Sequence, residues 1–176
     1  DSHLRDVVFD SQGNLYAYAS GCKYIYRIDI NEGTAEKLTE ISDSIWRMQC
    51  DGNTLMCVTS EKVFLYDLEE KSFVEDETLD SFVEENCSDM AWTGAGYMCY
   101  PFLGENNTIY MAGGKGLYRH VIGGSAVEQV IDGALSAFGD ASSYLYRVKA
   151  MADQEFLAMF NPSVGLVRYT FDETIP

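Results

Sequence analysis

Residues 9–30 read Phe-Asp-Ser-Gln-Gly-Asn-Leu-Tyr-Ala-Tyr-Ala-Ser-Gly-Cys-Lys-Tyr-Ile-Tyr-Arg-Ile-Asp-Ile. An Asp-x-x-Gly-Asn turn opens a segment in which Leu15, Ala17 and Ala19 alternate with Tyr16 and Tyr18. A Ser-Gly-Cys-Lys turn follows, and a second alternating segment runs from Tyr24 to Ile30. Apolar/polar alternation between turn residues is the mark of a β-hairpin. The same plan is written three more times along the chain. This repetition restricts the fold more than any other property, because a lone unit could not bury the two faces of its small sheet and must stack on its copies.

The first copy places strands over 4–10, 14–20, 24–30 and 34–40, and the second over 45–51, 54–59, 63–68 and 72–76. Ile28-Asp29-Ile30-Asn31-Glu32-Gly33-Thr34 lies over Tyr66-Asp67-Leu68-Glu69-Glu70-Lys71-Ser72, which sets their register. After a linker over 77–96, which reads as a long loop, the third copy runs through 97–103, 107–112, 116–122 and 126–131. The fourth runs through 144–149, 155–160 and 164–171 and lacks a fourth strand. Four short antiparallel strands per unit predict an all-β, β-propeller-like array of about four four-stranded blades. The last blade is incomplete, and the repeats over about 4–40, 44–76, 97–131 and 144–171 read as a single propeller-like domain or fragment across 1–176. A curved meander or a sandwich is the alternative, and 126–138 is the only stretch where a helical turn is plausible.

The start Phe-Asp-Ser-Gln-Gly-Asn-Leu-Tyr resembles NHL- and PQQ-like propeller repeats. The whole chain, with its ending Val-Gly-Leu-Val-Arg-Tyr-Thr-Phe-Asp, also resembles the propeller-type region that precedes the solute-binding domain in some secreted lipoproteins of Gram-positive gut anaerobes. That resemblance implies a piece of a longer polypeptide with a solute-binding domain as neighbour. It also implies an extracellular, cell-surface place beside nutrient uptake, and a last strand supplied elsewhere or removed by truncation.

Twelve Lys and Arg face twenty-eight Asp and Glu, a formal net charge of -16 that repels phosphate backbones and anionic lipid surfaces. Nucleic acid and direct membrane insertion are therefore not expected partners. No signal segment is present, although Asp1 could follow a removed one. No cofactor is expected: the Gly113-Gly114-Lys115-Gly116 stretch lacks the spacing of a phosphate loop and reads as a hairpin turn. His3 and His120 fall in no zinc-like pattern with the five cysteines, which read as buried thiols, with a Cys50–Cys57 disulfide as the alternative.

The candidate site residues are aromatic and cationic. Arg5, Arg47 and Arg147 recur near the start of the first strand of their repeats, Trp46 and Tyr146 immediately precede the latter two, and Trp92 lies in the linker. A guanidinium is a planar fork of donors for carboxylates or sugar hydroxyls, and an aromatic ring stacks on C–H faces. The same residues could instead pair with acidic neighbours and pack between blades. Arg27, Arg119 and Arg168, all in third strands, read as structural ion-pairing residues. The carboxylates that accumulate between Lys71 and Lys115, Glu84 and Glu85 among them, read as a solvated loop, with calcium ligation the less favoured alternative. The expectation is a non-catalytic extracellular module that binds a carbohydrate or protein ligand, and the resemblance implies that it is part of a solute-uptake lipoprotein. Its site is Arg5, Trp46, Arg47, Trp92, Tyr146 and Arg147. The alternatives are a fragment of a carbohydrate-active propeller enzyme, recognisable by two convergent carboxylates, and a structural spacer without ligand.

Overall fold

The Asp10 carboxylate shows why the first hairpin starts where it does. Its Oδ1 accepts from the amides of Gln12 (2.9 Å) and Asn14 (2.8 Å), and its Oδ2 accepts from the Asn14 side-chain amide (2.7 Å) and the Tyr16 hydroxyl (3.1 Å). Burial pushes this carboxyl up, but those hydrogen bonds outweigh it and hold Asp10 below the usual carboxylate range. Gly13 closes the turn at φ +84°, where a Cβ is disfavoured. A second turn is duplicated between copies. Asp29 Oδ1 accepts from the amides of Asn31 and Glu32, and Asp67 Oδ1 accepts from those of Glu69 and Glu70. Gly33 and Lys71 follow in the same left-handed conformation, at φ 65° and 54°. In this turn the sequence register of the first two copies is thus reproduced hydrogen bond for hydrogen bond.

The computed structural model describes residues 3–87, 90, 99–113, 115–132, 144–152, 155–161 and 165–170. The chain falls into two compact units, Asp1–Glu75 and Asp76–Pro176. The first unit holds two antiparallel sheets in simple meander order. One is β1 (Leu4–Phe9), β2 (Leu15–Ala19), β3 (Tyr24–Asp29) and β4 (Thr34–Glu40), and the other is β5 (Arg47–Asp51), β6 (Thr54–Val58), β7 (Val63–Asp67) and β8 (Ser72–Val74). Cross-strand partners share a face. Tyr16 and Tyr18 of β2, with Ile25 of β3, therefore pack with Met48, Leu55, Cys57 and Tyr66 of the second sheet in one buried cluster. The two sheets of this unit meet face to face over that cluster.

The second unit opens with α1 (Glu77–Asn86) and continues with a sheet of β9 (Cys99–Leu103), β10 (Thr108–Gly113), β11 (Gly116–Val121) and β12 (Val127–Asp132). A three-stranded sheet of β13 (Tyr144–Ala152), β14 (Glu155–Asn161) and β15 (Gly165–Thr170) follows. Tyr100, Phe102, Tyr110 and Leu117 of the third sheet pack with Val148, Phe156 and Ala158 of the fourth. Four consecutive small meanders, the last of three strands, make this an all-β chain of the β-propeller type, as the repeats predict.

Two local expectations are corrected. The start of the 77–96 linker is helix rather than loop, because Leu79 and Val83 recur at helical spacing and are buried, and Phe82 packs on Tyr118 at a centroid distance of 5.0 Å. In the 126–138 stretch, residues Val127–Asp132 are strand β12, as the fourth strand of the third copy predicts and not the helical turn allowed there, paired along β11 from Gly116↔Asp132 to His120↔Val127. The rest of that stretch lies outside the described residues. The five cysteines carry thiols, with no disulfide between Cys50 and Cys57. Their frames differ, since Cys50 lies opposite Leu55 and Cys57 opposite Met48.

Candidate functional site

Arg5 and Trp46 come together at the junction of the first two sheets. The Arg5 guanidinium carbon stands 4.3 Å from the centroid of the Trp46 ring, a cation–π contact. Arg5 is exposed and Trp46 half-buried. Two neighbouring hydrogen bonds fix the platform: the Trp46 amide donates to the Val58 carbonyl (2.8 Å), and the Met48 amide donates to Asp6 Oδ2 (2.8 Å). The second bond ties β1 to β5 directly.

Ladder register explains why the two arginines are not equivalent. Phe9 lies opposite Leu15 and Cys50 opposite Leu55, so in the common frame Arg5 corresponds to Trp46, and Asp6 to Arg47. The β1–β2 ladder is also irregular between Leu4 and Asp6, which leaves Arg5 at the irregularity and turned outward. Arg47 sits inside β5 with 7% of its surface exposed. It presents no fork of donors to solvent in this arrangement. Trp92 lies outside the described residues, and the side chains of Tyr146 and Arg147, on β13, also lie outside the description. Of the six candidate residues, the structure brings together Arg5 and Trp46, with Arg47 buried beside them in sequence.

The third-strand arginines behave as ion-pairing residues within their own sheets. Arg27 approaches Glu36 (3.5 Å) and donates to the Asn14 side-chain oxygen (2.6 Å), Arg119 pairs with Glu128 (2.7 Å), and Arg168 with Glu155 (2.6 Å). The adjacent Glu84 and Glu85 are exposed on α1. Among the described residues, no group of three or more His, Cys, Asp or Glu is placed to hold a metal ion, and no helix is long and apolar enough to cross a membrane.

A buried polar centre in the second unit went unrecognised in the sequence. Asp76 caps α1, its Oδ1 accepting from the Leu79 amide (3.0 Å). Its Oδ2 accepts from the Gly123 amide (2.8 Å) and from His120 Nε2 (2.8 Å), and His120 Nδ1 faces the Ala126 carbonyl at 2.9 Å. The ring is thus held between two oxygens, a carboxylate on one side and a backbone carbonyl on the other. The side chains of His120 and Asp76 are 0% and 3% exposed. Burial pushes the Asp76 carboxyl up, but the Gly123 amide, His120 and the Leu79 amide together hold it below the usual range. The centre pins α1 to the β11–β12 hairpin. The signal for the helix was present in Asp76 followed by acidic first-turn residues and by Leu79, Phe82 and Val83. For His120 there was no signal, since its partner is distant in sequence.

No protein-family model matches the sequence, and no curated protein does. Solved structures do. YCF48 bound to D1 peptide is 16% identical with a TM-score of 0.64, over 96% of this chain and 51% of that one. A chain of the mitotic checkpoint complex is 15% identical, TM-score 0.58, over 95% and 47%. The extracellular domain of the putative hybrid two-component system BT3049 from B. thetaiotaomicron is 13% identical, TM-score 0.54, over 95% and 20%. These likenesses establish the fold, and the chain spans about half or less of the length of each of these structures.

Proposed function

We propose that this chain is a non-catalytic propeller module that binds a peptide or protein segment through the exposed Arg5 and Trp46 platform. The observation that carries it is the Arg5 guanidinium held over Trp46, which leaves its outward N–H groups for a carboxylate or carbonyl of the partner. Support comes from the similar structures, whose names include a bound peptide and a multiprotein complex. A carbohydrate ligand is the weaker reading, because sugar stacking needs an open aromatic face and Arg5 already covers one face of Trp46. The lipoprotein resemblance supports a place outside a bacterial cell, beside a solute-binding domain of the same polypeptide.

The test is selection from a displayed library of random dodecamer peptides, followed by titration of the selected peptides against the wild type, Arg5→Ala, Trp46→Ala and the remote control Ile30→Ser. Loss of binding in the first two variants with the control intact is expected. Peptides that bind all four proteins alike would overturn the site, and a thermal upshift with a sugar panel but no selected peptide would favour the carbohydrate reading.

A further inference from the structure

Arginines that serve the fold face carboxylates in this chain: Arg27, Arg119 and Arg168 each reach a Glu of their own sheet. Arg5 does not. It is exposed, it meets no carboxylate of the described residues at ion-pair distance, and the contact that holds it is the Trp46 ring, 4.3 Å away. Twenty-eight Asp and Glu were available in this chain to neutralise it. The ring takes one side of the guanidinium and leaves the rest of its N–H fork to solvent.

The first unit also segregates its charge between the two ends of its strands. Arg5 lies against Trp46, and Asp6 reaches the Met48 amide, so β1 and β5 start at the same end and run in the same sense. In meander order the β2–β3 turn, the β4–β5 connection and the β6–β7 turn share that end, and the other turns of the unit lie at the far end. The platform end carries Arg5, Lys23 and Lys62 with Glu40, Asp43, Glu61 and Glu75, which nearly balance. The far end carries Asp10, Asp29, Asp51, Asp67, Glu69 and Glu70 with Lys71. Strands of five or six residues separate the ends, about 17–20 Å or roughly two Debye lengths at physiological salt. An anion arriving at Arg5 is therefore largely screened from the acidic end.

We propose that the platform is a carboxylate seat. The partner segment presents one carboxylate, from an Asp or Glu side chain or from a chain terminus, to the Arg5 fork, and lays its adjoining residues against Trp46. This rests on the platform being a peptide-binding surface and fixes which acceptor it takes. A planar anion with two oxygens matches the fork through paired, charge-assisted hydrogen bonds, which a single carbonyl oxygen cannot form. Contact with Trp46 also restrains Arg5 beforehand, so less side-chain freedom is lost on binding. The partner is not polyacidic, because a chain of net charge -16 repels a segment of many carboxylates.

The test selects dodecamer peptides on the native chain from two displayed libraries, one with free carboxyl termini and one with the termini joined to the carrier. Selected peptides that lose affinity for Trp46→Ala are synthesised with each carboxyl converted in turn to its amide. They are titrated against the wild type, Arg5→Lys, Arg5→Gln and Lys71→Asn. The expected result is one carboxyl per peptide whose conversion weakens binding to the wild type about tenfold or more, and binding to Arg5→Gln hardly at all. Arg5→Lys, which keeps the charge without the fork, falls between, and Lys71→Asn at the far end binds as the wild type does. The library that yields the peptides tells a terminal carboxylate from a side-chain one. Peptides that need Trp46 yet tolerate every amide conversion overturn the carboxylate seat and leave the platform standing. A carboxyl whose loss costs as much on Arg5→Gln as on the wild type does the same. Peptides indifferent to Trp46→Ala, or no selected peptide, overturn the platform and the seat together.

Discussion

Replacing Asp76 by Asn separates two jobs of one carboxylate. The amide oxygen can still accept from the Leu79 amide and keep the helix capped, but the amide nitrogen then faces the Gly123 N–H and the His120 Nε2 side, where only donors stand. A buried donor left without an acceptor costs about 1–3 kcal/mol, and the substitution removes the acceptor shared by the Gly123 amide and His120. We expect a loss of about 3 kcal/mol, which for a chain of this size lowers the melting temperature by roughly 6–12 °C. Urea and thermal unfolding at pH 7 read this directly. The pH dependence gives an independent check. A carboxyl whose folded pKa is depressed contributes stability that is complete above its unfolded value and is lost as pH falls through the folded one. The gap between wild type and Asp76→Asn is therefore widest near neutrality and narrows as pH falls from the unfolded value, about 4, through the lower folded one. Asp10, also depressed, is common to both proteins and cancels in the difference. A loss under about 1 kcal/mol, or a gap that stays constant into acid, refutes the pinning role of this centre.

Other perturbations test other parts of the fold. Gly116 stands at φ +140°, and a Cβ there would run into the Ile131 carbonyl oxygen, so Gly116→Ala forces β11 away from β12. It should cost about 3 kcal/mol or more, seen as an early urea transition, whereas a neutral result would mean the ladder is not held at that pair. Thiol labelling at pH 8 should find Cys22 fast. Cys50 should be slow, because burial and the charges of Asp10 and Asp51 push its thiol up to about 12, and the buried Cys57, Cys87 and Cys99 slower still. Rapid native reaction of all five contradicts the packing.

The repeats were legible because alternation and turn chemistry are local. Asp29 and Asp67, three residues or fewer from the amides they bind, announced the same turn twice. The helix was misread because acidity in Glu77, Asp80, Glu84 and Glu85 was weighed as solvation, while in the fold the first two stabilise a helix start and Leu79 and Val83 hold it to the unit. The Asp76 and His120 centre joins residues forty-four apart, and no local pattern carries such a pair. In the site, the aromatic and cationic composition was readable, but the exposure of Arg5 depended on one ladder irregularity between Leu4 and Asp6, and the burial of Arg47 on its register position in β5.

The most direct measurement on the functional account is backbone hydrogen exchange of the chain with and without a selected peptide. The account predicts added protection centred on β1 and on the segment from Ile45 to Asp51, around Arg5 and Trp46. Protection confined to turns remote from Trp46, or none with peptide bound, contradicts it.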